Sequence, residues 1–227
     1  MNNLTKSLII FGLILIWSPK LKSQINDFQT WSNISLSKEF DSDIKISISE
    51  ELRMYNNSSE IDEFFTELAV DYKVSKIFEF GLGYRFTRNF TSKGNKRFEQ
   101  RFDANATFDF SVKRFDFEYR LKYQTNDEEL FDQTSNKTFV STLRNRAKIS
   151  YNIKNIKLEP YISSDLFYTI DLKDISEFSK IRNAVGFEYE FSKHSSIDTF
   201  LMFEREFHKK TLQRVLVFGL TYKYKFK

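Results

Sequence analysis

Charged side chains that could do chemistry recur at every second position in several stretches of this 227-residue sequence. Arg85 stands in one stretch. Arg97, Glu99, Arg101 and Asp103 follow in the next, then Asp116, Glu118, Arg120 and Lys122, then Arg144, Arg146 and Lys148. Alternate residues of an extended chain share a face, so each set projects to one side. Folding the stretches back on one another brings Glu118 near Arg144 and Arg146, and Arg85 near Glu99 or Arg101. Opposite charges on facing strands are favourable neighbours. Such rows could lock into a network of ion pairs, or they could form a charged constriction, since rings of charge set selectivity in pores. The candidate cluster is Arg85, Glu99, Arg101, Glu118, Arg120, Arg144 and Arg146, and ion-pair locking is the simpler use of it.

Catalytic chemistry is poorly supplied. Cysteine is absent, which excludes disulfides, thiolate metal sites and a cysteine nucleophile, and the two histidines, His194 and His208, cannot build a metal site by themselves. His208 lies in a polar segment with Glu204 and Glu206 close by in sequence, where a histidine is ordinarily solvated. Glu50 and Glu51 are adjacent and so point apart in a strand, while Glu128 and Glu129 read as loop solvation. No glycine-rich phosphate loop is present. No enzyme, cofactor or metal is therefore expected. The 35 basic and 31 acidic residues leave a net charge of only +4, and without clustered Lys and Arg no nucleic-acid partner is expected.

The elements that position these charges are legible from a period of two. Phe78, Phe80, Leu82, Tyr84 and Phe86 alternate with small or charged residues, the signature of a strand with one apolar and one polar face. The pattern restarts about eleven times, near 28–40, 43–55, 62–75, 77–90, 96–112, 114–125, 138–153, 156–169, 178–192, 195–207 and 211–226. Apolar positions are even in the fifth run (Phe98, Phe102, Ala104, Ala106, Phe108, Phe110) and odd in the sixth (Phe115, Phe117, Tyr119, Leu121, Tyr123), the flip that keeps one sheet face apolar across a turn. Gly81, Gly83, Gly186 and Gly219 fall on the polar side, where they leave room for large neighbours.

Short connections (41–42, 75–76, 113–114, 154–155, 193–194) alternate with longer polar ones (56–61, 89–95, 126–137, 169–177). Aromatics collect at both strand ends: Phe108, Phe110, Phe115, Phe117, Tyr222, Tyr224 and Phe226 at one, and Phe86, Phe90, Phe98, Tyr123, Phe139 and Tyr168 at the other. With 17% aromatics and a mean hydropathy of only −0.48, the chain fits a barrel that is apolar outside, polar inside and girdled by rings at both interfaces. The fold class expected is all-β: a closed, antiparallel, up-and-down transmembrane β-barrel. Bacterial single-chain barrels carry an even strand number, so ten or twelve strands are expected, with the run at 28–40 the least secure.

The N-terminus reads as an export signal over 1–23. Lys6 precedes an apolar run from Leu8 to Trp17, with a cleavage point at Ser23-Gln24, and ten apolar residues are too few to span a bilayer as a helix. The barrel domain is then 24–227. The location implied is the outer membrane of a Gram-negative bacterium, with lipid as the surrounding partner.

Trp31, the run Glu50-Glu51-Leu52-Arg53, and Gly81-Leu82-Gly83-Tyr84-Arg85-Phe86 stand in an order that resembles a known family. Tyr119 to Gln124, Arg144-Asn145-Arg146, Pro160-Tyr161 and Arg182-Asn183-Ala184-Val185-Gly186 continue the likeness. It is domain-of-unknown-function family 2490, common in Bacteroidetes-type bacteria and regarded as outer-membrane β-barrels. The resemblance covers nearly the whole of 24–227. It implies fold and location, and it carries no functional residue. Gly219, Tyr222, Tyr224 and Phe226 also resemble the terminal-strand signal read by the barrel-insertion machinery, with Lys227 following the final aromatic. Three roles stay open on the sequence: a structural or narrow, plugged channel with a charged lumen; a barrel binding unknown surface ligands through its long loops; or a secreted soluble β-protein holding an apolar ligand.

Overall fold

A computed structural model describes residues 27–40, 43–90, 96–127, 140–171, 176–207 and 214–227. The export segment 1–23 with its cleavage point, His208, Phe139, and most of the loops expected at 126–137 and 169–177 lie outside the described residues. Eleven strands run in chain order: β1 (Asp27–Glu39), β2 (Ile44–Tyr55), β3 (Glu60–Ser75), β4 (Phe78–Phe90), β5 (Lys96–Val112), β6 (Phe115–Asp127), β7 (Val140–Tyr151), β8 (Leu158–Asp171), β9 (Glu177–Glu190), β10 (Ser195–Glu206) and β11 (Arg214–Phe226). Each pairs with its sequence neighbours, and β1 closes on β11 to complete the barrel.

The strand count corrects the expectation of ten or twelve: there are eleven. Up-and-down strands reverse direction at every turn, so with an odd number the first and last run the same way. The closing seam is accordingly parallel, with Phe28 opposite Leu216, Trp31 opposite Gly219 and Lys38 opposite Phe226. The antiparallel expectation holds for the other ten interfaces and fails at this one. The insecure first run is a full strand, antiparallel to β2 on its other edge. Its start is tied to the β2–β3 turn, where the Asn57 amide donates to Asp27 Oδ1 at 2.9 Å. Asn56, Asn57 and Ser58 in that turn all have positive φ, a conformation Asn tolerates better than most residues.

Alternation sorts the side chains as read from the sequence. Most apolar strand residues face outward and stay exposed, among them Ile34 (54%), Leu68 (47%), Phe102 (50%), Val185 (57%) and Leu201 (48%). Rings pair across neighbouring strands toward both rims: Phe110 with Phe117 at 5.1 Å and Phe115 with Tyr151 at 5.0 Å near the short turns, Phe86 with Phe98 at 5.5 Å and Tyr168 with Phe178 at 5.1 Å near the long connections. Turns at 76–77 and 113–114 are tight, whereas the β7–β8 connection occupies 152–157, longer than expected.

A few polar residues sit on the apolar face, and each of three is bonded to a neighbour. Thr66 Oγ1 donates to Glu50 Oε1 at 2.7 Å, Tyr84 Oη to Gln100 Oε1 at 2.8 Å, and Tyr119 Oη to Asn145 Oδ1 at 2.8 Å. Glu50 and Glu51 do point apart: Glu51 turns inward to accept from Asn33 Nδ2.

Glycine makes room inside, as its placement suggested. The Phe200 ring lies over Gly219, and the Tyr161 ring lies over Gly186. At Gly186 a methyl group would also come within 2.6 Å of the Thr199 carbonyl oxygen, which belongs to the backbone and cannot step aside. Gly186→Ala should destabilise the folded barrel by about 1–3 kcal/mol, the usual cost of overpacking. A lower urea midpoint for loss of the folded, heat-modifiable gel band would show it, and an unchanged midpoint would refute this packing account.

Candidate functional site

The inward rows meet in a layer on the long-connection side of the lumen. Its centre is Arg53, at the end of β2. The guanidinium bonds Glu51 Oε1 at 2.5 Å and Glu63 across the β2–β3 interface, and its carbon lies 3.7 Å from the Trp31 ring centre and 5.0 Å from that of Phe65. Arg85 also lies against Phe65, at 3.5 Å. Arg182 of β9 also approaches Trp31, to 5.0 Å, and stands 4.9 Å from Phe167, against which Arg144 lies at 5.1 Å. Arginine over an aromatic face is favourable and gains strength where water is excluded. The β1–β9 contact passes over β10 and β11, so these side chains bridge the lumen as well as line its wall.

Two register shifts aim this layer. One falls between Arg53 and Met54 in the β2–β3 ladder, the other between Phe167 and Tyr168 in the β8–β9 ladder. Bulges of this kind re-aim side chains, and both fall at residues that fill the lumen.

Carboxylates neutralise the layer. Glu67 binds Arg85 at 2.5 Å and Arg101 at 3.1 Å, Asp103 binds Lys122 at 2.8 Å, Asp165 binds Arg144 at 2.7 Å, and Glu204 holds Arg182. Phe65 (1% exposed) and Val217 (0%) are fully enclosed here, with Met202 and Phe167 at 5% each.

All seven residues of the expected cluster lie on inward-facing strand positions, with partners that differ from expectation. Arg85 stands opposite Arg101, as expected, but both take Glu67, and Glu99 accepts instead from Asn89 Nδ2 at 3.4 Å. Glu118 reaches Arg146 at 4.0 Å, while Arg144 turns to Asp165. Arg120 stands directly opposite Arg146 and has no carboxylate within ion-pair distance among the described residues. Sequence reasoning placed Lys122 on the inward face without giving it Asp103 as partner, and it missed Glu67, Asp165 and Glu204 and the three rings of this layer, Trp31, Phe65 and Phe167. Phe65 beside Phe64 and Phe167 beside Leu166 and Tyr168 break the alternation with consecutive apolar residues, which was the available signal.

Below this layer the lumen opens toward the short turns. A polar cavity of about 560 Å³ there includes Asn105, Thr107, Asp109, Glu118, Arg120 and Lys122 in its wall. Asp109 and Glu118 also border a neighbouring space of about 530 Å³ with Lys148 and Ser150. No three carboxylate or imidazole side chains among the described residues converge as a metal-ligand set. His194, at the short-turn rim, contacts the Lys225 carbonyl through its ring Nδ1 at 3.0 Å.

A closed barrel, apolar outside and charged within, is the build of the outer-membrane barrel class. Solved structures agree in fold. A bacterial polysaccharide outer membrane secretin aligns over 83% of this chain and 67% of its own at 9% identity, with a TM-score of 0.55. The β domain of the Bordetella autotransporter BrkA aligns over 82% and 86%, also at 9% identity, with a TM-score of 0.51. The chain belongs to the family described as protein of unknown function (DUF2490), whose model matches residues 28–215, as the ordered strand motifs suggested. Among curated protein sequences, none matches.

Removing one carboxylate from the layer should be costly, because it strands two enclosed cations. Glu67→Gln leaves Arg85 and Arg101 without their shared anion and should destabilise the barrel by about 3 kcal/mol. Urea titration of the purified barrel measures this, and a shift no larger than that of an exposed rim substitution would contradict the role given to Glu67.

Proposed function

We propose that the protein is an integral outer-membrane barrel of a Gram-negative bacterium, surrounded by lipid, with its lumen shut by the arginine–aromatic layer. Its work on this reading is structural rather than that of an open pore. The observation that carries it is the contact of Arg182 on β9 with the Trp31 ring on β1, continued by Arg53 and Phe65 to Arg85. A hydrated solute would have to displace paired cations and rings together to pass. The exposed aliphatic band supports lipid as the outer environment, since monomeric soluble proteins rarely show contiguous apolar surface on this scale. The girdles of paired rings support interfaces at both rims. The short turns then face the periplasm and the longer connections face outward, with export by a leader and insertion by the barrel-assembly machinery. No catalytic role, metal or cofactor is part of the proposal.

Two measurements test it. In planar bilayers the wild-type barrel should show no steady single-channel conductance, while Trp31→Ala, which removes the ring that both Arg53 and Arg182 approach, should raise conductance above that baseline. Steady conductance in the wild type would reject the plug. In membrane fractions the protein should change gel mobility on boiling and resist a salt wash. Release by salt with unaltered mobility would reject the membrane assignment.

A further inference from the structure

Five of the seven inward arginines described have a carboxylate at 3.1 Å or closer: Arg53, Arg85, Arg101, Arg144 and Arg182. Arg120 and Arg146 do not. They stand directly opposite each other on β6 and β7, an arrangement that is unfavourable unless something anionic lies between or above them. The Nε atoms of both are out of solvent contact and have no hydrogen-bond partner. The nearest carboxylate to either is Glu118, 4.0 Å from Arg146.

One step toward the short turns the signs invert. Asp109 stands opposite Glu118, and its carboxylate has no hydrogen bond or ion pair within 4 Å among the described residues. A facing pair of cations therefore adjoins a facing pair of carboxylates, with Lys148 opposite Glu118 on the other side. Arg120, Asp109 and Glu118 all line the 560 Å³ cavity. Apart from the long Arg146–Glu118 approach at 4.0 Å, the charges are left apart although flexible side chains on adjacent strands could have met.

From this juxtaposition we infer that the cavity is a binding site for a small zwitterion of dipeptide size, entering from the short-turn rim. Its carboxylate would lie against Arg120, which Arg146 backs from the next strand, and its ammonium group against Asp109 and Glu118. A simple anion fits less well, because six carboxylates line this space against four cations, Lys45, Arg120, Lys122 and Lys223. The length follows from the strand. Glu118 and Arg120 are two residues apart on β6, a rise of ~6.6 Å, and two extended residues span about the same distance. Asn105 and Thr107, in the same wall, offer amide and hydroxyl groups to a peptide bond. The cavity volume lies within the usual range for small-molecule sites. The inference rests on the plugged reading in one respect: a closed far side makes this space a cup rather than a passage.

The test is isothermal titration calorimetry of the folded barrel in detergent, with glycylglycine as probe. Glycylglycine should bind saturably. N-acetylglycylglycine lacks the ammonium group and glycylglycinamide lacks the carboxylate, and each should bind about tenfold more weakly, the loss of one charge-assisted contact. Arg120→Gln should lower affinity for glycylglycine by a similar factor. Asp109→Asn should reduce the discrimination between glycylglycine and its acetylated form, and heat-modifiable mobility shows which variants fold. The comparison of blocked ligands on the wild-type barrel stands even if neither variant folds. No saturable heat with glycylglycine, or equal affinity for all three compounds, would overturn the site. Calorimetry does not pass through conductance, so an open channel would overturn the plug alone.

Discussion

Guanidinium groups enclosed in a narrow barrel are costly unless neutralised where they stand, and all but Arg120 and Arg146 of those described inside this molecule are arranged around that constraint. An isolated cation held away from water is costly, and breaking an enclosed pair costs more than forming it gains. Arg53 meets the demand with carboxylates at its edge and aromatic rings on its faces. Arg85, Arg144 and Arg182 repeat the arrangement with Glu67, Asp165 and Glu204 at the edge and Phe65, Phe167 and Trp31 against the face. Because guanidinium is planar, it uses edge and face together, as an ammonium group cannot. The bulges at Arg53 and Phe167 then read as devices for bringing planar partners into stacking distance.

The outer face obeys the complementary rule. A polar group facing hydrocarbon has no water to bond, so it must bond within the protein. Glu50 takes the Thr66 hydroxyl, Gln100 that of Tyr84, and Asn145 that of Tyr119. The second oxygen of Glu50 has no such partner, which makes the middle of β2 the least settled point of the apolar band.

Strands were highly legible in the sequence, since a period of two over ten or more residues admits no other element, and observed bounds differ from the expected ones by a few residues. Closure was not. The β1–β11 seam joins the ends of the barrel, where no turn signals who pairs with whom, and the usual even count argued against it. Inward facing was legible for every residue of the expected cluster, because parity decides it. Partners were not, because pairing by hairpin considers only adjacent strands. Glu67 meets Arg101 over the intervening β4, and Arg182 meets Trp31 over two strands. Such contacts come from curvature, which a period of two does not encode. The enclosed rings were obscured by the rule that apolar residues face out; in this lumen they serve as partners for charge.

The odd strand number has a topological consequence. Where strands are even, the start of the first and the end of the last share a rim, and a short linker could join them to permit circular permutation. Here Asp27 and Phe226 lie at opposite rims. A joining segment would have to run the length of a tilted strand, roughly 40 Å for thirteen extended residues, through a filled interior or along an apolar exterior. The order of strands in this barrel is thus locked to one starting point, and hairpin-by-hairpin duplication alone could not have produced it without the gain or loss of a single strand.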